Sequence, residues 1–409
     1  MPQKIHVLFH VPEGFESVAS KDIEATLADI QQPTYSHAPK TGRVHLFCAA
    51  DSIDTFKQYI QSVQLLSIYS VMLVASESVM PADAFAEVQP TYDYISNQTK
   101  KAPWYSIISE DPQNQNTAIS FRATFKKEQI KHKAPSQQIA GYVGFAFSNF
   151  FKHWKVKMTG FTYEIVSLWF QTSDVAYLNH LGDPSANDQS VILILGVDIP
   201  LQNQNQRNRV FVGRTSLNPC IAYCLALVAD PKPGQVILDM CCGTGTIPIE
   251  GASRFKNVFW LGSEVTVKTL AEKALGNVVH CQLKNVDLLL GDGRKLCFRD
   301  SFIDSIVSDS LVLIVYNTIK LYPKFVKQMH RILKPDGKAY IVTQGHKLMN
   351  RVLHYDWCQK LWSVDEILPI GIGGLDAYLY TLSKNGSTVA TTTAAATTTS
   401  TTSTSMKKA

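Results

Sequence analysis

From Ser216 to about Lys384 the chain alternates strand-like apolar runs with helix-like segments. The strand-like runs are QVILDM, NVFWLGSE, VDLLLGD, FIDSIVSDS, GKAYIVTQ, WSVDEILPI and GLDAYLYTLSK. Between them, segments such as KFVKQMHRILKPDG carry helical spacing, with PDG read as a turn. Parallel neighbours need a crossover long enough to hold a helix, so this alternation implies a mostly parallel, doubly wound sheet. The last two runs have no helix between them and should form a hairpin at the sheet edge. The expected fold class is α/β: a C-terminal Rossmann-like domain preceded by an α+β region.

In such a sheet the turn after the first strand meets the ligand. Here it reads DMCCGTGTIPIEG, Asp239 to Gly251. A dinucleotide fingerprint needs a third glycine at position 248, where the helix packs closely on the strand, but the chain has Pro248. Proline is tolerated in a helical first turn, where its missing N–H has no partner anyway. It does not fit the packing role. The phosphate loop G-x-x-x-x-G-K-[ST] is also absent.

S-adenosylmethionine suits this turn better. It lacks a pyrophosphate; its ammonium can meet the carboxylate of Asp239, and its carboxylate and ribose need the close backbone approach that Gly243 and Gly245 permit. Glu264 ends the second strand, where a carboxylate can accept both ribose hydroxyls. Asp292 ends the third, where an acid can accept the adenine amine. A lone acid at a strand end is ordinarily a solvated terminus. Three of them on successive strands beside a glycine turn outline a cofactor site. At the fourth strand end, Asp309 stands in reach of the transfer zone. A carboxylate there can accept the protons of an exocyclic amine whose lone pair is delocalised into its ring. The plainer reading of Asp309 is a structural cap.

The net charge of +5 is unevenly placed. Between Phe121 and Gly160, eight basic residues stand against one acid, Glu128: Arg122, Lys126, Lys127, Lys131, Lys133, Lys152, Lys155 and Lys157. That asymmetry is the footprint of a polyanion binder. A charge run is usually a solvated face, and the interleaved Phe125, Phe150, Phe151 and Trp154 should be largely core. Basic side chains can nonetheless engage RNA phosphates without reading sequence.

The N-terminal KIHVLFHVP, ESVASKDIEATLADI and GRVHLFCA read as strand, helix and strand, with Ser17 or Ser20 as cap. LLSIYSVMLVASES is a further strand, and residues 80 to 118 should hold a helix and a variable connection. A second module opens at TAISFRATFKK. Its helix, SQQIAGYVGFAFSNFFKHW, places Ile139, Val143, Phe147 and Phe150 at helical spacing. FTYEIVSLWFQ, DVAYLNHLG and SVILILGVDIP read as strands, and LQNQNQRNR as a polar hinge. The start reads as a first strand rather than a targeting segment, and no run approaches the roughly 18 apolar residues of a membrane span. Eight cysteines without a secretory signal point to a reducing compartment, hence the cytoplasm. Cys220 with Cys224, and Cys241 with Cys242, lack the His or second pair of a zinc site; small core residues is the better account, and no metal is expected.

These segments resemble the THUMP-domain tRNA guanosine-N2 methyltransferases over about residues 4 to 384. VPEGFESVASKDI and TGRVHLF resemble the family's opening, and FRATFKKEQIKHKAPSQQIAGYVGFAFSNFFKHWKVKMTGFTYEIVSLWF its THUMP domain. TSLNPCIAYCLALVADPKPGQVILDMCCGTGTIPIEGA resembles the joining segment and a cofactor motif close to D-P-M-C-G-[ST]-G-[AT]-I-P-I-E. The resemblance implies that Asp239, Cys242, Gly243, Gly245, Glu264 and Asp292 line an S-adenosylmethionine site. It also implies a THUMP domain holding a tRNA acceptor end; the basic window separately offers Arg122, Lys126, Lys131, Lys133, Lys152, Lys155 and Lys157 as RNA contacts. The amine methylated would be the N2 of a guanosine. A small zinc-binding activator protein, docked on the methyltransferase domain, is the implied partner. The expected layout is an α+β (ferredoxin-like) region at 1–115, the THUMP domain at 116–200, a linker at 201–215, the methyltransferase domain at 216–384 and a disordered tail at 385–409.

The chain departs from the family at Asn218 (often Arg) and Met240 (Pro). The acceptor motif, about D-L-P-F-G in the family, reads DSLVLIVYN from Asp309 to Asn317. The departure raises an alternative: an RNA-binding THUMP protein whose methyltransferase domain is catalytically impaired. A small-molecule methyltransferase is a third reading, weakened by the basic N-terminal half.

Overall fold

The computed structural model describes residues 2–110, 119–128, 130–184, 186–201, 204, 207–213, 215–309 and 318–385. Its first half is built on one eight-stranded sheet. The strands are β1 (Gln3–His10), β2 (Gln31–Ser36), β3 (Arg43–Ala50), β4 (Ser70–Val79), β5 (Ser120–Lys127), β6 (Lys155–Val156), β7 (Tyr163–Phe170) and β8 (Ile192–Ile199). They lie in the order β2-β3-β1-β4-β8-β7-β5-β6. The antiparallel pairing of β4 with β8, Val71 opposite Ile199 through to Val79 opposite Ile192, carries the sheet across residue 115. The N-terminal region and the basic module therefore share a single sheet.

Alternation along the strands separates two faces. Ile5, Val7 and Phe9 of β1 join a large core with Ala19 and Ile23 of the helix Glu16–Thr26 and with Ile139, Val143 and Phe147 of the helix Ser136–Ser148. Leu8, on the other face, packs with Met72, Val166, Leu168, Tyr177 and Leu178. Tyr177 and Leu178 belong to a helix, Val175–His180, where the sequence pattern suggested a strand. The side chain of Asp174 accepts a hydrogen bond from the Tyr177 N–H at 3.0 Å, and this cap turns DVAYLNH into helix. Neither Ser17 nor Ser20 caps the first helix. Instead Glu16 Oε1 accepts from the backbone N–H of Gly14 (3.0 Å) and of Gly42 (2.7 Å), tying the helix start to the loop before β3.

The second half carries β9 (Val236–Asp239), β10 (Phe259–Glu264), β11 (Val286–Leu290), β12 (Ile303–Asp309), β13 (Leu333–Thr343), β14 (Trp362–Ile372) and β15 (Leu375–Lys384). Their order is β11-β10-β9-β12-β13-β15-β14. Strands β9 to β13 run parallel, and β15 is antiparallel to both β13 and β14. This is the doubly wound Rossmann-like domain expected, with its hairpin at the edge. The KPDG segment does not turn between helix and strand. It lies within β13 as a bulge, because Leu333 pairs with Ile303 and the next pairing is Lys338 with Ser305. Lys334 Nζ, 2.6 Å from Asp304 Oδ1, anchors the bulge to β12.

The two halves meet through the helix Pro219–Ala229, which is apolar and buried on most sides. Tyr223 donates its hydroxyl to Asp22 at 3.0 Å, and the Cys220 thiol donates to the Ile68 carbonyl at 3.1 Å. Cys220 and Cys224 are both fully buried, the small core residues expected of them. Phe15, fully buried, lies in the second half's core with Leu217, Ile221, Leu225 and Ile370. The N–H of Gly371, in β14, donates to the Glu13 carbonyl at 3.0 Å. Truncating a buried aromatic costs about 3–5 kcal/mol. Phe15→Ala should therefore lower the denaturation free energy by about that amount. Urea unfolding followed by tryptophan fluorescence measures it, and a loss under 1 kcal/mol would mean that Phe15 does not join the halves.

Candidate cofactor and substrate site

The strand order reverses between β9 and β12: the chain steps from β9 to β10 and β11 on one side, then returns to β12 on the other. Crossovers leaving in opposite directions open a crevice at the carboxyl ends of these strands, where doubly wound folds bind ligands. Asp239 ends β9, Glu264 ends β10, and Ser308 and Asp309 end β12. Ser308 Oγ donates to Asp239 Oδ1 at 2.7 Å, and the Cys241 N–H donates to the same oxygen at 3.1 Å. Burial raises the Asp239 carboxyl to about 7; these two hydrogen bonds pull it down, and the charges of Asp309 and Glu264 push it up again.

The turn that follows is held against β10. Glu264 Oε2 accepts from the Gly243 N–H at 3.1 Å, Oε1 accepts from Thr266 at 2.9 Å, and the Cys242 N–H donates to the Ser263 carbonyl at 2.9 Å. Gly243 has φ +54° and Gly245 φ +84°, the left-handed region that side chains avoid. A Cβ built on Gly243 would meet nothing within 4 Å, so the turn presents bare backbone to open space. That is the cradle a ribose or an amino-acid moiety needs. Gly245 begins the helix Thr246–Arg254, whose third residue is Pro248. The close packing is supplied further along: a Cβ on Gly251 would lie 2.2 Å from Trp260 Cζ2. Cys242 is buried, with its Sγ close to Gly262 of β10, so its side chain packs the turn onto the sheet.

Asp292 follows β11 at the rim and is paired with Arg294, whose Nε lies 2.8 Å from both carboxylate oxygens. This hydrogen-bonded guanidinium holds the Asp292 carboxyl below its usual range. The four acids converge. After burial, the charges of Asp239, Glu264, Asp309 and Asp292, in that order, push the Cys241 thiol up. Residues from four different strand ends thus surround one turn.

The segment expected as a linker contributes to the same site. Arg207 pairs with the buried Glu250 at 3.0 Å, and Asn208 Nδ2 donates to Glu250 Oε1 at 3.1 Å. Asn277 then uses its whole hydrogen-bonding capacity. Its Oδ1 accepts from the N–H of Val210 (2.9 Å) and Phe211 (2.8 Å), and its Nδ2 donates to the carbonyls of Phe211 (2.9 Å) and Thr244 (3.0 Å). Ser216 Oγ lies 3.0 Å from Thr244 Oγ1. Val210, Phe211 and Ser216 are thereby strapped, directly or through Asn277, to Thr244 in the glycine turn. Asn277 escaped the sequence reading; the available signal was an amide among the apolar residues of LGNVV. Asn218, where the resembling family often has Arg, caps the next helix by accepting from the Cys220 N–H at 2.8 Å.

A cleft of about 1230 Å³ opens between the halves. It is lined by His10, Lys40, Lys127 and Gln171 at one end of the eight-stranded sheet, and by Ser216, Asn218, Asp309, Gln344 and the Gly371–Leu375 turn on the other side. Of the predicted cofactor and catalytic residues, Asp309 lines this cleft. The segment 310–317, which carries the altered acceptor motif, lies outside the described residues.

The basic residues fall in two places. Arg122 pairs with Glu164 at 2.9 Å on β5 and β7, and Lys126 lies on the same face of β5. Lys152, Lys155 and Lys157 are exposed around β6, beside exposed Val156 and Met158, and Lys131 is exposed after β5. Lys133 is paired with Glu87 across the exposed surface at 2.5 Å. Exposed Phe145 and half-exposed Tyr105 add aromatic faces to the same module.

Among the described residues, no group of three or more His, Cys, Asp or Glu could hold a metal ion, and no helix is long and apolar enough to cross a membrane. All eight cysteines are free thiols.

This fold and this crevice are those of a doubly wound, Rossmann-like domain. Residues 206–290 match the family described as UPF0020, RMKL-like methyltransferase domain. By sequence the chain is similar to the guanine-N2 methyltransferases: it is 26% identical to the human tRNA (guanine(6)-N(2))-methyltransferase THUMP3 over 321 residues, 71% of this chain and 59% of that protein. It is 28% identical to the U6 snRNA (guanine-N(2))-methyltransferase THUMPD2 of Mus musculus over 147 residues, 36% of this chain and 28% of that protein. The chain thus spans little more than half of the human relative's length. By fold it resembles TrmN from Thermus thermophilus, with a TM-score of 0.70 at 18% identity over 93% of this chain and 99% of that one. SMU.472, solved in complex with SAH, has a TM-score of 0.65 at 14% identity over 93% and 98%.

With its carboxyl raised to about 7, Asp239 keeps its proton below that pH. A ligand that sets an ammonium against it must displace that proton, so affinity should fall about tenfold per pH unit below 7 and level off above. Calorimetric titration with S-adenosylhomocysteine at pH 6 and 8 measures this, and Asp239→Asn should abolish the dependence. Asn277→Ala takes the partner from four backbone groups, the Thr244 carbonyl buried and the other three part-buried, and should lower stability by about 2–4 kcal/mol. It should also weaken S-adenosylhomocysteine at temperatures where the variant stays folded. Unchanged binding would detach the strap from the cofactor site.

Proposed function

We propose that the chain is an S-adenosylmethionine-dependent methyltransferase acting on the N2 amine of a guanosine in RNA, with tRNA as substrate. The observation that carries this reading is the convergence of Asp239, Glu264, Asp292 and Asp309 on one bare-backbone turn at the strand-order reversal. The similarity to guanine-N2 methyltransferases supports the choice of amine and polymer.

When bound, S-adenosylmethionine supplies a methyl group on a sulfonium, ready for one-step displacement. Asp239 holds the ammonium, and Gly243 and Gly245 admit the ligand to hydrogen-bonding range of the backbone. Glu264 already accepts with one oxygen from Gly243 of the turn and with the other from Thr266, and the remaining lone pairs would accept the ribose hydroxyls. Asp292, oriented by Arg294, accepts the adenine amine. Asp309 faces the cleft and would accept a proton of the guanosine amine, keeping the nitrogen lone pair available to take the methyl group as the sulfonium's S–C bond breaks.

The eight-stranded half is the RNA-holding part of this proposal, with a THUMP domain in its second module. Lys131, Lys152, Lys155 and Lys157 are exposed there to meet phosphates, and Phe145 offers a stacking face. Arg122 and Lys133 reach RNA only by exchanging Glu164 and Glu87 for phosphates. The activator protein belongs to the proposal too. Strand β11 is the free edge of its sheet, and exposed Val265, Val267, Leu275, Val279 and Leu290 surround that edge with apolar surface. The cytoplasm is the compartment proposed, in keeping with eight free thiols.

A second reading rests on DSLVLIVYN, which lacks the proline, phenylalanine and glycine of the resembling family. It makes the chain an RNA-binding protein whose methyltransferase domain does not turn over. Incubation with radiolabelled S-adenosylmethionine, unmodified tRNA and the activator decides between them. The first reading expects N2-methylguanosine in the product and a loss of about 10²–10⁴ in rate for Asp309→Asn. Binding of both cofactor and tRNA without incorporation would establish the second. No tRNA binding at any salt concentration would sink both.

A further inference from the structure

We propose that the helical flank of the second half is a second RNA-binding surface, which holds phosphates of the bound RNA on the side of the sheet away from the eight-stranded half. The inference rests on the RNA reading above and adds a contact that reading does not contain.

The placement comes from the two cores of the second sheet. Ile237, Val307 and Val342 face Ile221, Leu225 and Phe15, the side on which the first half sits. Leu238, Ile306 and Ile341, their neighbours along the same strands, point the other way and pack with Val326, Met329, Met349 and Val352. These four bury the apolar sides of two helices, Thr318–Ile332 and His346–Leu353. Cys358, in the same core, brings in the short helix Asp356–Gln359. The three helices pack in succession, and their polar sides form one outer surface. That surface starts at the rim of the site. A Cβ on Gly293 would lie 2.3 Å from Phe325 Cε1, so the first helix lies against the loop that carries Asp292. The hydrogen bond from Arg294 does most to hold the Asp292 carboxyl low, and the charge of Lys324 on this helix adds to it. The second helix follows Gln344, which lines the cleft.

The charge on this surface is one-sided. From Thr318 to Lys360 nine basic residues stand against two acids, Asp336 and Asp356. Those beside the strands are neutralised: Arg331 pairs with Asp300 at 2.8 Å, Lys334 with Asp304 at 2.6 Å and Lys338 with Asp365 at 2.8 Å. Lys324, Lys327, Lys347, Arg351 and Lys360 are exposed on the flank, and among the described residues none of the five is ion-paired. An ordinary solvated face intersperses both signs. Here Lys324 with Lys327, and Lys347 with Arg351, set like charges one helical turn apart, which costs a helix stability in isolation. A polyanion laid along them relieves that repulsion and releases its own counterions. Lys327 Nζ lies 4.5 Å from the Trp357 ring centroid, and Tyr355, 38% exposed, stands beside that ring at 6.2 Å. Tyr355 thus offers a face on which an unpaired base can stack. Among the described residues of the flank it is the only large apolar side chain that is exposed. A membrane face would present an apolar stripe to insert, and a protein-docking face an apolar centre; a phosphate-holding face needs neither.

The test uses the full chain and needs no turnover. Binding of unmodified tRNA is followed by fluorescence anisotropy across a salt series for wild type and two triple variants. One is Lys327→Gln/Lys347→Gln/Arg351→Gln on the flank; the other is Lys152→Gln/Lys155→Gln/Lys157→Gln in the eight-stranded half. Each lost phosphate contact removes about 0.7–0.9 from the slope of log affinity against log salt. The flank variant should therefore bind at least tenfold more weakly at low salt, with a slope shallower by about 2.1–2.7. Its melting temperature and S-adenosylhomocysteine affinity should stay at wild-type values. Combining the two triples should add their slope losses, because both surfaces hold one RNA. Wild-type affinity and slope in the flank variant, beside a loss in the other triple, would overturn the proposal and leave the RNA reading standing. Binding to vesicles of phosphatidylserine and phosphatidylcholine that the flank variant alone loses, with tRNA binding unchanged, would make the flank a membrane face and overturn it too. If wild type binds no tRNA, the proposal falls together with the RNA reading.

Discussion

The reversal of strand order between β9 and β12 is the constraint on which the rest of the molecule depends. It leaves the carboxyl ends of adjacent parallel strands uncovered by crossovers, so Asp239 and Ser308 can meet across the gap at 2.7 Å. That hydrogen bond binds the glycine turn's root to the strand whose next residue is Asp309. Glu264 completes the assembly by accepting from both sides of the turn's approach to β10. A buried carboxyl raised to about 7 is costly to ionise in isolation, and a cationic ligand relieves the cost. Below about pH 7 a proton offsets the same cost, and a cationic ligand can replace it.

The first half matters to this crevice through its position. The core that Phe15 shares with Leu217 and Ile221, the Tyr223–Asp22 hydrogen bond and the Gly371–Glu13 contact set one end of the eight-stranded sheet over the carboxyl ends of the second. A domain that only carried RNA could hang from a flexible linker. Here Arg207 and Asn208 are bonded to Glu250, Val210 and Phe211 to Asn277, and Ser216 to Thr244, so the connection itself stiffens the site.

The glycine turn and its acids were legible because they obey local rules. A strand ends, an acid follows, and the spacing of strands repeats along the chain. The substitution of Pro248 for glycine was equally informative, and Gly251 against Trp260 shows where the packing role moved. DVAYLNHLG misled because six residues are too few for helical periodicity to outvote alternation; the deciding feature was one capping carboxylate, Asp174. Arg207–Glu250 joins residues 43 positions apart and the four bonds of Asn277 join residues 33 to 67 apart, and no local pattern announces such pairs. The same holds for the cleft, whose walls come from strand ends scattered from His10 to Leu375. The basic window was visible as composition. Its division between the paired Arg122 and Lys133 and the exposed Lys152, Lys155 and Lys157 needed the fold.

A crystal structure of the chain with S-adenosylhomocysteine and a guanosine-bearing acceptor-stem RNA tests the central claim most directly. The ligand's ammonium should lie against Asp239, its ribose against Glu264, and its sulfur should face the guanosine N2 beside Asp309. A ligand bound away from the carboxyl ends of β9 and β10, or a guanosine seated on a surface that does not communicate with Asp309, would contradict the account.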